Sequence, residues 1–258
     1  MPLSSSQIQH FHNQGYICPL DGFTPGETAF NRAAFDGLLA RFQRDGHDTY
    51  AINGYHASCR SIYDMVTHPA ILDAVGSLIE GPFLAWGTHF FCKLAHDPKA
   101  VTWHQDAPYW PLTPQATITA WIAIDDVDVV NSALRVIPQS HLVGEVPRRP
   151  STVAENNVLN TSIDLSSSVP QPVAFEMKAG QFSLHHDMLV HGSLPNQSDR
   201  RRCGLTVRYA PVTVRGSDPG WTGNAILCRG QDDAGHWTYQ PRPAADEPLH
   251  GHRIIGGN

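Results

Sequence analysis

From about Trp86 onward the chain is a succession of short runs rich in β-branched and aromatic residues, with no helical period between them. The runs are Thr88–Leu94, Ala116–Asp125, Ala133–Ile137, Pro172–Met177, Gln181–His185 and Gly204–Arg215, and Gly, Pro, Asn and Asp clusters separate them. Strands that lack crossover helices must cover one another, so they close as a sandwich or barrel. The chain has 21 glycines and 20 prolines among 258 residues, which fits a fold of many turns. The polar, Ser/Asn-rich stretch Ser151–Val169 reads as a long loop of the kind that often covers a site.

The first part of the chain reads differently. Ser4–Ser6 cap a short helix carrying Ile8 and Phe11, which Gly15 stops. Thr24-Pro25-Gly26-Glu27 has the pattern of a capping box with proline at the first helical position. Phe30, Ala34, Leu38 and Phe42 then recur at helical spacing up to Gly46. A further helix is expected over Pro69 to Glu80, ended by Gly81-Pro82. The expected architecture is therefore one mainly β domain over residues 1–258. It has a helical buttress over about 1–82, a β core over about 86–216 and an irregular tail over 217–258.

Charge narrows the function. Lys and Arg number 18 against 24 Asp and Glu, a net charge of −6, which argues against nucleic acid as the partner. No apolar run approaches the roughly 20 residues of a membrane span. The start shows neither a basic n-region nor an apolar h-region. The five cysteines are odd in number and form no CxxC pair, which disfavours a disulfide framework or a cysteine zinc site. A cytoplasmic protein acting on a small molecule is expected, as a monomer or homodimer. The 15 histidines invite a search for metal ligands.

That search stops at Trp103-His104-Gln105-Asp106. In an extended segment residues i and i+2 point the same way, so His104 and Asp106 can approach one ion together. His191, in Val190-His191-Gly192-Ser193, is the best candidate for a third ligand. Two imidazoles and a carboxylate on one face of an octahedron leave three positions open, as in non-haem Fe(II) oxygenases. Structural zinc would instead fill its coordination sphere. Downstream, Cys203, Leu205, Val207 and Tyr209 make one face of a strand, and Arg202, Gly204, Thr206 and Arg208 the other. An arginine on that second face can grip a carboxylate through two parallel charge-assisted bonds.

Four segments, WHQDAPYWPL (103–112), AWIAID (120–125), ALRVIPQSH (133–141) and HGSLPNQSDRRRCGLTVRY (191–209), together resemble the phytanoyl-CoA dioxygenase family. The resemblance implies a double-stranded β-helix (a jelly roll, cupin-like) and an oxygenase dependent on Fe(II), 2-oxoglutarate and O2. It assigns His104, Asp106 and His191 to iron. It places Arg202 on the distal carboxylate of 2-oxoglutarate, with Ser193 and Trp121 beside that cosubstrate and Arg208 as the rival arginine. A carboxylate at Asp106, where related halogenases carry Ala or Gly, implies hydroxylation or desaturation. The Asn156–Ile163 loop lacks the Arg-Gly-Gln ending of close relatives, and no basic cluster suits coenzyme A phosphates, so a smaller substrate is expected.

For that substrate, Phe91, Trp103, Tyr109 and Trp110 offer aromatic walls, and Lys93 and Arg208 offer cations for an anionic group. Two other classes compete. One is a non-catalytic β-helix binding protein, which would be free to lose one of the four site residues. The other is a zinc-dependent cupin-like hydrolase or isomerase, which has no need of the Arg202 grip.

Overall fold

The computed structural model describes residues 2–247, and His250 and His252, read from sequence as ordinary loop residues, lie outside them. Two facing antiparallel sheets form the body. The major sheet runs in the order β1 (Tyr16–Asp21), β10 (Gln181–His186), β5 (Ile118–Ala123), β12 (Arg202–Pro211), β2 (Phe83–Lys93) and β14 (Ile226–Arg229). The minor sheet runs β3 (Val101–His104), β11 (His191–Ser193), β6 (Arg135–Val136) and β9 (Val173–Ala174). Two short pairs complete the strands, β4 (Leu112–Thr113) with β13 (Arg215–Gly216) and β7 (Arg149–Pro150) with β8 (Thr161–Ser162). This is the expected mainly β, jelly-roll architecture.

The helices α1 (Ser5–Gln14), α2 (Pro25–Arg44), α3 (Arg60–Val66) and α4 (Pro69–Gly76) pack on the outer face of the major sheet. The capping box forms as expected: Thr24 accepts from the Glu27 N–H, and Glu27 accepts from the Thr24 N–H at 2.8 Å. The alternation in β12 also holds. Cys203, Leu205, Val207 and Tyr209 enter the helix-facing core, and full burial of each large apolar side chain contributes about 1.5–3 kcal/mol. The Tyr209 hydroxyl crosses that layer and donates to the Val66 carbonyl at 2.7 Å, tying the sheet to α3. The opposite face of β12 is left to look into the space between the sheets.

Several expectations need correction. The helix beginning at Pro69 ends at Gly76, not near Glu80, because Ser77 turns back and donates its hydroxyl to the Asp73 carbonyl. The tail is not irregular throughout. It forms α5 (Pro219–Thr222) and then β14, which extends the major sheet along β2. Ala225-Ile226-Leu227-Cys228, a short apolar run, is the signal for that strand. Strand β1 was likewise unexpected; it carries Pro19 at the sheet edge, where the register breaks between Ile17 and Leu20. The Ser151–Val169 stretch holds a small hairpin closed by Arg149, which binds both Glu155 and Asp164.

Candidate metal centre and cosubstrate cleft

The two candidate histidines come from adjacent strands of the minor sheet. His191 pairs directly with His104 in the register, and their rings lie 4.1 Å apart. That approach depends on Gly192, where an added Cβ would lie 2.7 Å from the Val101 carbonyl oxygen. Asp106 arrives by a route the i, i+2 argument missed. The strand stops at His104, and Asp106 has helical backbone angles at the head of a 3-10 turn over Ala107–Tyr109. The amides of Asp106 and Ala107 both donate to the Asp187 carbonyl, which turns the carboxylate back toward the histidines. Gln105 points the other way and locks two loops, donating to the carbonyls of Gly144 and Met188.

The result is a facial donor set. Asp106 Oδ1 lies 3.6 Å from His104 Nε2 and 3.8 Å from His191 Nε2. Two metal–ligand bonds of about 2.1 Å span such separations. Each imidazole is oriented by its other nitrogen: His104 Nδ1 donates to the Thr102 carbonyl and His191 Nδ1 to the Leu189 carbonyl, both at 2.8 Å. This leaves both Nε2 lone pairs free to coordinate. Burial opposes charge on Asp106, but His191, His104 and Arg208 together hold its carboxyl well below the usual range. Burial, with His104 next, pushes His191 well below the usual imidazole value. The ionised Asp106 and neutral His191 that these shifts favour are the forms in which such groups bind a divalent ion, and among the described residues no other group of three or more such side chains is placed to hold a metal.

Facing this set across a cleft is the inner face of the major sheet. Phe91, Trp121, His185, Arg202, Thr206 and Arg208 line the cleft with the three candidate ligands and Ser193. Arg202 is buried and has no carboxylate partner among the described residues. Its Nε donates to the Ser132 carbonyl at 2.8 Å, its Nη1 to the Phe91 carbonyl at 3.3 Å, and its guanidinium lies 5.6 Å from the Trp121 ring. The neighbouring arginines are spent: Arg200 pairs with Asp128, and Arg201 with Asp36 and Asp125. Of three consecutive arginines, only Arg202 has no carboxylate partner among the described residues.

Other predicted residues lie elsewhere. Lys93 does not line the cleft. It is fully buried beside Arg202 in the register and donates to the Ser132 hydroxyl and to the carbonyls of Ser193 and Leu194. Burial, and then the Arg202 charge, push its ammonium down to about 6. Trp103 faces away from His104 into a satellite cluster, with Arg135 5.3 Å from its ring. Tyr109 approaches His104 edge-on at 6.3 Å, but its hydroxyl is bound to Thr161.

Sequence reasoning missed three residues. Ser132, at a φ of +76° that non-glycine residues rarely adopt, presents both its carbonyl to Arg202 and its hydroxyl to Lys93. His89 lies on the inner face against Phe91 and is bound to the Tyr50 carbonyl at 2.7 Å. His185 lines the cleft 4.9 Å from the His191 ring. Strand alternation from Ser183 to His185 and from Phe91 to His89 would have placed the last two.

A jelly roll with a His-Asp-His face opposite an open arginine defines an Fe(II)- and 2-oxoglutarate-dependent oxygenase. Comparison with known proteins agrees. The phytanoyl-CoA dioxygenase (PhyH) family model matches residues 11–204, and the chain belongs to that family. It is 30% identical over 189 residues to L-proline trans-4-hydroxylase of Streptomyces griseoviridis, covering 66% of this chain and 70% of that one. It is 28% identical over 214 residues to phytanoyl-CoA dioxygenase domain-containing protein 1 of Bos taurus, covering 79% of this chain and 65% of that one. Among solved structures, the apo form of the non-heme monooxygenase ThoJ superposes with a TM-score of 0.80 at 29% identity, covering 93% of this chain and 89% of that one. Family membership sets aside the zinc hydrolase and the non-catalytic binding protein.

Proposed function

We propose that this oxygenase hydroxylates or desaturates an unactivated C–H bond of a small molecule, converting 2-oxoglutarate to succinate and CO2. The observation that carries the reading is the division of labour across the cleft: two candidate histidine ligands on the minor sheet with Asp106 on the turn that follows, and an arginine without a carboxylate partner facing them from the major sheet. Bound Fe(II) with 2-oxoglutarate supplies O2 activation and C–H oxidation. The chain supplies position. His104 and His191 present Nε2 because backbone carbonyls hold their Nδ1 protons. Asp106 fills a third position, which favours hydroxylation over halogen transfer. Arg202, fixed by the carbonyls of Ser132 and Phe91, is aligned for the distal carboxylate of 2-oxoglutarate, and Trp121 forms the wall beneath it.

The proline hydroxylase relative supports a substrate much smaller than an acyl-CoA thioester. All five cysteines are free, which fits a reducing compartment such as the cytoplasm. No helix of the described residues is long and apolar enough to cross a membrane. The test is oxygen consumption with stoichiometric succinate when Fe(II), 2-oxoglutarate and a panel of small acids and amines are supplied. Turnover that persists in Asp106→Ala, or that needs no 2-oxoglutarate, contradicts the reading.

A further inference from the structure

Arg208 is a cation inside the cleft that feels the charge of Asp106 but pairs directly with no carboxylate among the described residues. Its guanidinium makes no ion pair or hydrogen bond there, and its Nε is fully buried without a partner. In the sheet register Arg208 lies opposite Thr119, and Thr119 lies opposite His185. The Thr119 hydroxyl and both ring nitrogens of His185 are also buried and unpartnered. Buried polar atoms nearly always have partners. Three side chains that lack them, in one row across three adjacent strands beside the candidate metal centre, outline the place of an absent polar group.

The surroundings of Arg208 say what kind of group. Its guanidinium lies 5.5 Å from the Trp86 ring and 5.2 Å from the Trp110 ring, which meet each other edge to face at 4.8 Å. A β-bulge creates that setting. Arg208 pairs with Gly87 and Tyr209 with Ala85, so Trp86 is the extra residue, re-aimed beneath the arginine. Aromatic faces stabilise the cation and hold its plane, but they offer no hydrogen-bond acceptor. Charge points the same way. A divalent ion, dianionic 2-oxoglutarate, Asp106 and the two arginines leave one net positive charge in a largely desolvated cleft.

We propose that Arg208, with Thr119 and His185 beside it, is the recognition site for a carboxylate on the substrate, which is therefore a small carboxylic acid, amino acids included. This rests on the oxygenase reading of the cleft. The guanidinium grips the carboxylate through parallel N–H bonds, the Thr119 hydroxyl donates a further one, and the tryptophans wall the adjoining carbon skeleton. Lys93 takes no part, since its donors are occupied by Ser132, Ser193 and Leu194.

Acetate, L-proline and benzoate, each beside its carboxamide, serve as probes. Each is titrated anaerobically into protein loaded with Fe(II) and 2-oxoglutarate, followed by calorimetry and by the visible chelate band. At least one carboxylate is expected to bind saturably, with its amide weaker by about tenfold or more. Arg208→Gln should weaken that carboxylate by about tenfold or more, and Arg208→Lys, which keeps the cation but not the planar grip, by about threefold or more. The chelate band should persist in both. Arg208→Lys decides the matter if Arg208→Gln does not fold. No saturable carboxylate binding to wild type, or binding unchanged in the variants, overturns the proposal. So does a chelate band lost in Arg208→Gln but intact in Arg202→Ala, since Arg208 would then hold 2-oxoglutarate. If wild type shows no chelate band, the oxygenase reading fails instead, and the same calorimetry without 2-oxoglutarate still decides the Arg208 site.

Discussion

Gly204 sits on the inner face of β12, between Arg202 and Thr206, and Trp121 lies across it. A Cβ added at Gly204 would fall 2.0 Å from Trp121 Cζ2 and 2.2 Å from Cη2. Carbon atoms pack at about 3.5 Å, so Gly204→Ala must displace the indole by about 1.5 Å. The ring is buried, and overpacking of this kind costs about 1–3 kcal/mol. In a protein of this size that corresponds to a fall in Tm of roughly 3–10 °C. The displaced ring also moves the wall under Arg202, and errors of about 1 Å in positioning can cost about 100-fold. Thermal unfolding and the anaerobic chelate titration should therefore both respond, with 2-oxoglutarate weakened by about 10- to 100-fold. Adding Trp121→Phe, which deletes the clashing atoms, should recover part of the lost stability, a coupling expected only for touching residues. A Gly204→Ala protein with wild-type Tm and wild-type 2-oxoglutarate affinity would refute the reasoning.

Three further outcomes follow from the same contacts. Lys93→Met removes donors from the Ser132 hydroxyl and two carbonyls, so it should cost about 1–3 kcal/mol in denaturant unfolding and weaken 2-oxoglutarate through the Ser132–Arg202 contact. Tyr209→Phe leaves the Val66 carbonyl without its donor and should cost about 1–2 kcal/mol with no change in the chelate band. Burial pushes His185 down to about 4, so the unfolded chain takes up a proton there below about 6.5 that the native protein refuses. Stability of the metal-free protein should be full above that range and fall as pH drops toward 4, by up to about 3 kcal/mol from this group, and His185→Asn should flatten that fall.

Legibility in the sequence followed the range of the interaction. The alternation of β12 and the capping box of α2 are local patterns, and both are realised. The four segments that resemble the phytanoyl-CoA dioxygenase family, confirmed by the family match, placed the candidate ligands and Arg202 on one cleft. What escaped depended on contacts between distant segments. The fate of Lys93 is set by carbonyls about a hundred residues away, and the importance of Ser132 by a left-handed turn that its residue type does not advertise. Trp103 was expected beside the site because it neighbours His104, but alternation sends it to the other face. The row of Arg208, Thr119 and His185 exists only once the order of β12, β5 and β10 is known.

The central claim is that His104, Asp106 and His191 hold iron while Arg202 holds 2-oxoglutarate. Metal-free protein, titrated anaerobically with Fe(II) and then 2-oxoglutarate, tests it most directly through the visible charge-transfer band of the chelate. The account predicts a band in wild type, none in His104→Ala, and in Arg202→Ala a band that needs about 10-fold or more 2-oxoglutarate to saturate. A band of unchanged strength and affinity in either variant, or metal bound in wild type with no band at all, would contradict it.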